Sequence, residues 1–123
     1  MVKNFGQLSS GETAHLYSLM TDMLRICVTD FGGTLVSVEV KDKSGEFVDV
    51  TLGYDDVAGY ENDNDCFGFN IGRNANRISN AQFTLNNIKY VLAKNDGENN
   101  LHSGPHLFSK RMWHVTEYRD DSI

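Results

Sequence analysis

The chain carries short stretches in which apolar and polar residues alternate, the spacing typical of β-strands with two unlike faces. One alternation covers residues 36–40, with valine at every second position, and another covers residues 48–52. The intervening residues 42–46 include a glycine, which suits a hairpin turn. The pattern therefore predicts a β-hairpin with one buried face.

A second hairpin is predicted around Asn86-Asn87, because asparagine tolerates the positive φ angles of a two-residue turn. Apolar residues alternate on both sides of this pair, at Phe83, Leu85, Ile88, Tyr90 and Leu92. Further strands are predicted over residues 16–21, 24–29 and 112–118. Only residues 55–60 suggest a helical turn, since no window of about 11 residues keeps a helical apolar stripe. Many short strands predict an all-β fold, an antiparallel sandwich or barrel.

Composition limits the classes of protein that remain. The 123 residues carry a formal charge of −6, with a pI near 5.0, which argues against nucleic-acid and membrane-surface partners. No apolar run approaches the ~18 residues of a membrane helix, and residues 1–15 lack the apolar core of a secretory signal. Cys27 and Cys66 are too few for a disulfide framework. We therefore expect one cytoplasmic domain.

Common catalytic and metal-binding motifs are missing. His102 and His106 have the spacing of metal ligands on a helix, but Gly104 and Pro105 between them disfavour a helix. The glycines of residues 68–72 match neither a Walker loop nor a dinucleotide-binding loop, and are more typical of close packing in a sheet. We predict no metal site and no cofactor site.

Asn76, Arg77 and His102 remain as candidate binding residues. Arginine offers five donors in a planar fork, asparagine both donates and accepts, and histidine can do either near neutral pH. Such a set suits recognition of a polyhydroxylated small molecule. The alternative from residue chemistry is a surface arginine paired with a carboxylate, together with a solvated loop histidine.

Two short elements of the chain are specific, Asn-Arg-Ile at 76–78 and Asn-Leu-His at 100–102. They are supported by residues 31–37, 48–54, 72–75, 83–85 and 110–113. Taken in order along the chain, from about Phe5 to Val115, these segments resemble the aldose 1-epimerase (galactose mutarotase) family. The family most often has glycine where this chain has Ser103. The resemblance implies a galactose mutarotase-like antiparallel β-sandwich, of which residues 1–123 form the N-terminal part of a single family domain.

The resemblance also implies a reaction. Family members interconvert the α and β anomers of free hexoses without cofactor or metal, with a His as general acid and a Glu as general base opening the ring. Asn76, Arg77 and His102 would hold the sugar, whereas the catalytic His and Glu would lie beyond Ile123. We predict no catalytic residue in this chain and expect that it is inactive alone.

An incomplete sandwich would leave apolar faces and sheet edges unpaired, so self-association or a complementing chain is also expected. Two alternative functions remain open. The chain could be a non-catalytic carbohydrate-binding or structural β-sandwich fragment. It could also belong to a hexose-phosphate mutarotase, for which Arg73 and Arg77 are the available cations.

Overall fold

The computed structural model describes residues 1–123, and these form two compact units. Unit 1 comprises residues 1–70 and 112–123, and unit 2 comprises residues 71–111. All strand pairs are antiparallel, and the only α-helix has six residues, so the all-β prediction is confirmed. No helix in the structure has the length and apolar character to span a membrane.

Unit 1 is built on a five-stranded sheet in which each strand pairs with the next along the chain. Its strands are β1 (Val2–Gln7), β2 (Thr13–Met20), β3 (Leu24–Thr29), β4 (Leu35–Lys41) and β5 (Phe47–Asp49). The predicted β4–β5 hairpin is confirmed. Its turn is closed by the Asp42 N–H donating to the Glu46 carbonyl over 2.8 Å. Every residue of β4 up to Val40 is only half-buried, so the predicted buried face is incomplete.

The core of unit 1 forms around helix α1 (Val57–Asn62), where the helical turn was predicted. The Asp56 carboxylate caps the helix by accepting the Gly59 N–H over 3.0 Å. Tyr60 is fully buried, and its ring packs edge-on against Tyr54 at a centroid distance of 5.1 Å. The Tyr60 hydroxyl also accepts the Tyr54 N–H over 3.1 Å, so this buried polar atom has a partner.

Gly68 allows a loop to approach β4 closely. The Leu35 N–H donates to the Gly68 carbonyl over 2.9 Å, and Gly68 has a φ of +65°. A Cβ at this position would lie 1.9 Å from the Leu35 carbonyl oxygen. Only glycine fits here, in agreement with the packing role expected for the glycines of this segment.

Unit 2 contains two small two-stranded sheets. Strand β6 (Arg77–Ile78) pairs with β9 (Asn100–Leu101), and β7 (Gln82–Leu85) pairs with β8 (Ile88–Val91). The β7–β8 hairpin has the predicted two-residue turn, in which Asn86 and Asn87 have φ angles of +51° and +62°. All residues of this hairpin are exposed, including its large apolar side chains.

Two strand predictions near chain ends and turns need correction. The strand predicted over residues 112–118 is wrong, because Met112 forms only an isolated bridge with Phe31, and the segment from His114 onward pairs with no strand. Strand β5 ends at Asp49 instead of continuing to residue 52. The Val50 N–H still donates to the Val38 carbonyl over 2.9 Å. The Asp49 carboxylate, however, accepts the Val38 N–H over 3.1 Å and the Thr51 N–H over 3.0 Å, so the regular ladder does not continue.

Candidate functional site

The structure brings Asn76, Arg77 and His102 together in unit 2. Arg77 begins β6 and lies opposite Leu101 of β9, while Asn76 precedes β6 and His102 follows β9. The pairing of β6 with β9 thus brings together the Asn-Arg and Asn-Leu-His elements, which lie far apart in the sequence. The three residues therefore lie in adjacent segments, with Asn76 contacting both Arg77 and His102, whereas the sugar-binding role itself stays a prediction.

Asn76 and His102 are joined by a reciprocal pair of hydrogen bonds. The His102 N–H donates to the Asn76 carbonyl over 3.0 Å, and the Asn76 N–H donates to Nδ1 of His102, also over 3.0 Å. Because a backbone N–H can only donate, Nδ1 is the unprotonated nitrogen and the imidazole proton lies on Nε2. This bond fixes the ring orientation and leaves the Nε2–H as a donor for a ligand.

The backbone of this site adopts left-handed conformations at non-glycine residues. The φ angles are +60° at Asn76, +54° at His102 and +61° at Ser103. Asparagine and histidine are enriched in this region of conformational space, but such residues still cost roughly 1–3 kcal/mol each and cluster at binding and catalytic sites. The paired hydrogen bonds between the two segments hold this backbone in place.

Ser103 adds a further link between the same two segments. Its Oγ accepts the Asn74 N–H over 2.7 Å and donates to the Asn74 carbonyl over 3.2 Å. A positive φ of this kind favours glycine, which has no Cβ. In this chain the serine hydroxyl provides hydrogen bonds that a glycine could not make. We refer to residues 74–77 together with residues 101–103 as the clamp.

Arg77 is held by a carboxylate that the sequence reasoning missed. Its Nε donates to Oδ2 of Asp96 over 2.7 Å, and its Nη1 donates to Oδ1 of Asn76 over 3.3 Å. The ion pair anticipated as the alternative interpretation of Arg77 is thus present. It leaves the outer edge of the guanidinium accessible, since the Arg77 side chain is 54% exposed. Asp96 therefore orients the fork and leaves Nη2 available to a ligand.

The Asp96 carboxylate had only a weak signal in the sequence. It lies in the turn Asn95-Asp96-Gly97, where Asp96 and Asn99 pair through backbone hydrogen bonds. Aspartate before glycine is a common turn pair, so the composition alone indicates a loop and not a partner for Arg77. Only the β6–β9 pairing brings this turn beside the arginine.

The clamp side chains retain hydrogen-bonding groups that no other residue of the chain uses. Nη2 of Arg77, Nε2–H of His102 and the Asn76 amide can serve neighbouring hydroxyl groups. The one carboxylate beside them, Asp96, already accepts from Arg77. His106 and His114 lie outside the clamp and line two different cavities, and no three metal-ligating side chains cluster in the chain. The arrangement is suited to holding a polyol.

Comparison with protein families and curated sequences gives consistent results. The family model for aldose 1-epimerase matches residues 15–123. The chain is 42% identical over 110 residues to galactose mutarotase from Bos taurus and 40% identical over 110 residues to that from Homo sapiens, in each case 89% of this chain and 32% of the relative. It is 32% identical to aldose 1-epimerase from Escherichia coli (strain K12) over 98 residues, which is 80% of this chain and 28% of that protein.

Solved structures show the same relationship at the level of the fold. The crystal structure of an aldose epimerase homologue from C. elegans superposes with a TM-score of 0.79 at 30% identity, covering 87% of this chain and 33% of that one. Galactose 1-epimerase from Lactobacillus acidophilus NCFM gives a TM-score of 0.75 at 23% identity, over 92% and 32% of the two chains, a similarity of fold alone. The chain spans about a third of the length of these relatives.

Proposed function

The chain belongs to the aldose 1-epimerase family, and we propose that it supplies part of the hexose-binding site for the interconversion of α and β anomers. The observation that carries the proposal is the clamp. In the clamp, Asn76 and His102 are hydrogen-bonded to each other. The neighbouring Arg77 has a side chain that is partly exposed to solvent. The family membership supports the class of ligand, and the geometry of the clamp supports the choice of these residues.

Each clamp side chain has a distinct proposed task. The Arg77 fork donates to adjacent ring hydroxyls, and Asp96 keeps the fork turned toward them. His102, with its proton on Nε2, donates to an oxygen of the bound pyranose, while the Asn76 amide donates to another hydroxyl. A sugar fixed in this way would present its anomeric centre in one orientation, which is the contribution of binding to an acid–base reaction.

The acid–base step requires groups that this chain is proposed to lack. Mutarotation opens the ring when a general acid protonates the ring oxygen and a general base removes the anomeric hydroxyl proton. In the clamp, Nδ1 of His102 already accepts a backbone N–H, and Asp96 is engaged by Arg77. We therefore assign hexose binding to this chain and no turnover to the chain alone.

The proposal is tested by titrating the 123-residue chain with galactose and glucose, following the amide resonances of residues 74–77 and 101–103. Arg77→Ala and His102→Ala should each weaken binding about tenfold or more, because each removes donors to the ligand. Lys89→Ala is the matched control, since Lys89 is an exposed cation of the same unit that lies outside the clamp. Equal affinity in all three variants would refute the site assignment.

Polarimetry separates binding from catalysis. Freshly dissolved α-galactose should mutarotate at the buffer rate in the presence of the chain, whether native or Arg77→Ala. An accelerated rate with the native chain would show that a functional acid and base are present and would contradict the binding-only assignment. A titration with no hexose binding would instead favour a structural role for the sandwich.

A further inference from the structure

The two units carry charges of opposite sign. Unit 2 has six basic and two acidic residues, a formal charge of +4, whereas unit 1 has five basic and fifteen acidic residues, a formal charge of −10. Both carboxylates of unit 2 are already engaged, Asp96 by Arg77 and Glu98 by Lys94. Unit 2 therefore has no further carboxylate of its own to neutralise Arg73 and Arg111.

The arginines of the chain divide into two groups. Three of the five are paired with carboxylates, in the pairs Arg25–Glu39, Arg77–Asp96 and Arg119–Glu117. The other two, Arg73 and Arg111, form no ion pair, and both line the same cavity of unit 2. In a chain rich in carboxylates, leaving these two guanidinium groups without a counter-charge around one cavity is a feature that needs an explanation.

This cavity, which we call the cationic cavity, has a volume of about 360 Å³ and no acidic residue in its lining. Besides the two arginines, its polar lining residues are His106, Asn74, Ser103 and Asn100. Arg111 is fixed at its wall, because its Nη2 donates to the His106 carbonyl and its guanidinium lies over the Phe108 ring, 5.4 Å from the centroid. The planar fork of a guanidinium group matches the oxygens of a phosphoryl or carboxylate group, and Arg73 supplies a second such group to the same cavity.

The cationic cavity adjoins the clamp. Asn74 and Ser103 line it, and they are the residues joined by the two serine hydrogen bonds of the clamp. Each is close in sequence to a proposed sugar ligand, Ser103 directly after His102 and Asn74 two residues before Asn76. A ligand with a sugar ring at the clamp and an acidic substituent could therefore occupy both places.

We propose that the cationic cavity binds the oxyanion of a small ligand through Arg73 and Arg111, and that this ligand is an acidic derivative of the hexose held by the clamp. The second part rests on the proposed hexose-binding function. Both a sugar phosphate and a uronic acid carry such a group, an anion whose several oxygens each accept hydrogen bonds. Both would gain charge-assisted hydrogen bonds that a neutral hexose cannot make.

The test measures affinities of the 123-residue chain for inorganic phosphate, glucose, glucose 6-phosphate and glucuronate at fixed ionic strength. Glucose 6-phosphate or glucuronate should bind at least about tenfold more tightly than glucose, and whichever gains more identifies the source of the oxyanion. Arg73→Gln and Arg111→Gln should each weaken phosphate binding about tenfold. Lys89→Gln removes the same charge from the same unit outside the cavity and should change it by less than about twofold.

Two results would overturn the inference: equal affinity for glucose and both acidic sugars, or phosphate binding that neither arginine variant weakens. Because Arg111→Gln also removes a packing contact, Arg111→Lys serves as a second variant that keeps the charge but loses the planar fork. It should fold and still bind phosphate less tightly. The two proposals fail distinguishably. Loss of the anion effect with intact glucose binding rejects the cationic cavity and leaves the clamp. Phosphate binding without any glucose binding rejects the clamp, and with it the sugar part of this inference, but leaves the anion site at Arg73 and Arg111.

Discussion

Substitution of Ser103 tests the geometry of the clamp directly. Ser103 combines a φ of +61° with two hydrogen bonds to the Asn74 backbone, in which its hydroxyl accepts from the N–H and donates to the carbonyl. Ser103→Ala removes the hydrogen bonds and keeps the unfavourable φ. Ser103→Gly removes the same hydrogen bonds but relieves the φ, so the pair of variants separates the two contributions.

The magnitudes follow from this geometry. Two neutral hydrogen bonds contribute about 0.5–1.5 kcal/mol each, so their loss costs about 1–3 kcal/mol in Ser103→Ala. Glycine avoids a left-handed penalty of about 1–2 kcal/mol but loses about 0.5–1 kcal/mol in backbone entropy on folding. Ser103→Gly should therefore be about 0.5–1 kcal/mol more stable than Ser103→Ala and still less stable than the native chain.

Hydrogen exchange of the amides of residues 71–111 at increasing urea concentration measures these differences for unit 2. Protection of the Asn74 amide should fall in both variants because its acceptor is removed. Ser79 provides the control, since it lies in the same unit without a positive φ, and there alanine should be at least as stable as glycine. If alanine equals or exceeds glycine at position 103 as well, the left-handed conformation assigned to Ser103 is wrong.

Three further predictions concern the rest of the chain. Gly68→Ala should lower the free energy of unfolding by more than about 2 kcal/mol in urea titration, because the new Cβ meets the Leu35 carbonyl at a positive φ, and an unchanged midpoint would contradict this. The hydrogen bond from the Ser44 hydroxyl lowers the pKa of Asp42 below its ordinary 3.8. The stability it provides is therefore present above about pH 4 and lost in acid, and NMR titration of Ser44→Ala should show a higher pKa than in the native chain. The exposed apolar side chains of the β7–β8 hairpin predict concentration-dependent association in analytical ultracentrifugation, reduced by Val91→Lys, whereas a monomer at every concentration would contradict it.

Local signals in the sequence predicted the hairpins well. The Asn86-Asn87 turn follows from two adjacent residues that tolerate a positive φ. The bounds of β3 follow from the apolar pattern of its own residues. Strand β1 was missed because its residues 3–7 are mostly polar or glycine, and its formation depends on pairing with β2. The strand expected over residues 112–118 has the alternation but lacks a neighbouring strand beyond Met112.

The site depended on non-local information. Strands β6 and β9 have two residues each, which is too short for any alternation to be recognised, yet their pairing brings Arg77 opposite Leu101 and so places Asn76 against His102. Residue chemistry singled out these residues only as candidates, and the resemblance to the family gave them a shared role. The Asp96 carboxylate that orients Arg77 and the cationic cavity became visible only when the turn and loops of unit 2 were placed in space.

The separation of charge between the units also has a consequence for handling the protein. A pI near 5.0 predicts that a cation-exchange resin excludes the chain at neutral pH, but that value averages over two unlike regions. Ion-exchange resins respond to local surface charge. At low ionic strength, the basic residues of unit 2 should therefore retard the chain on a sulfonate resin. The acidic residues of unit 1 should bind the same chain to a quaternary-amine resin. Whole-chain electrostatic averages are thus a poor guide to which counter-ions this protein attracts.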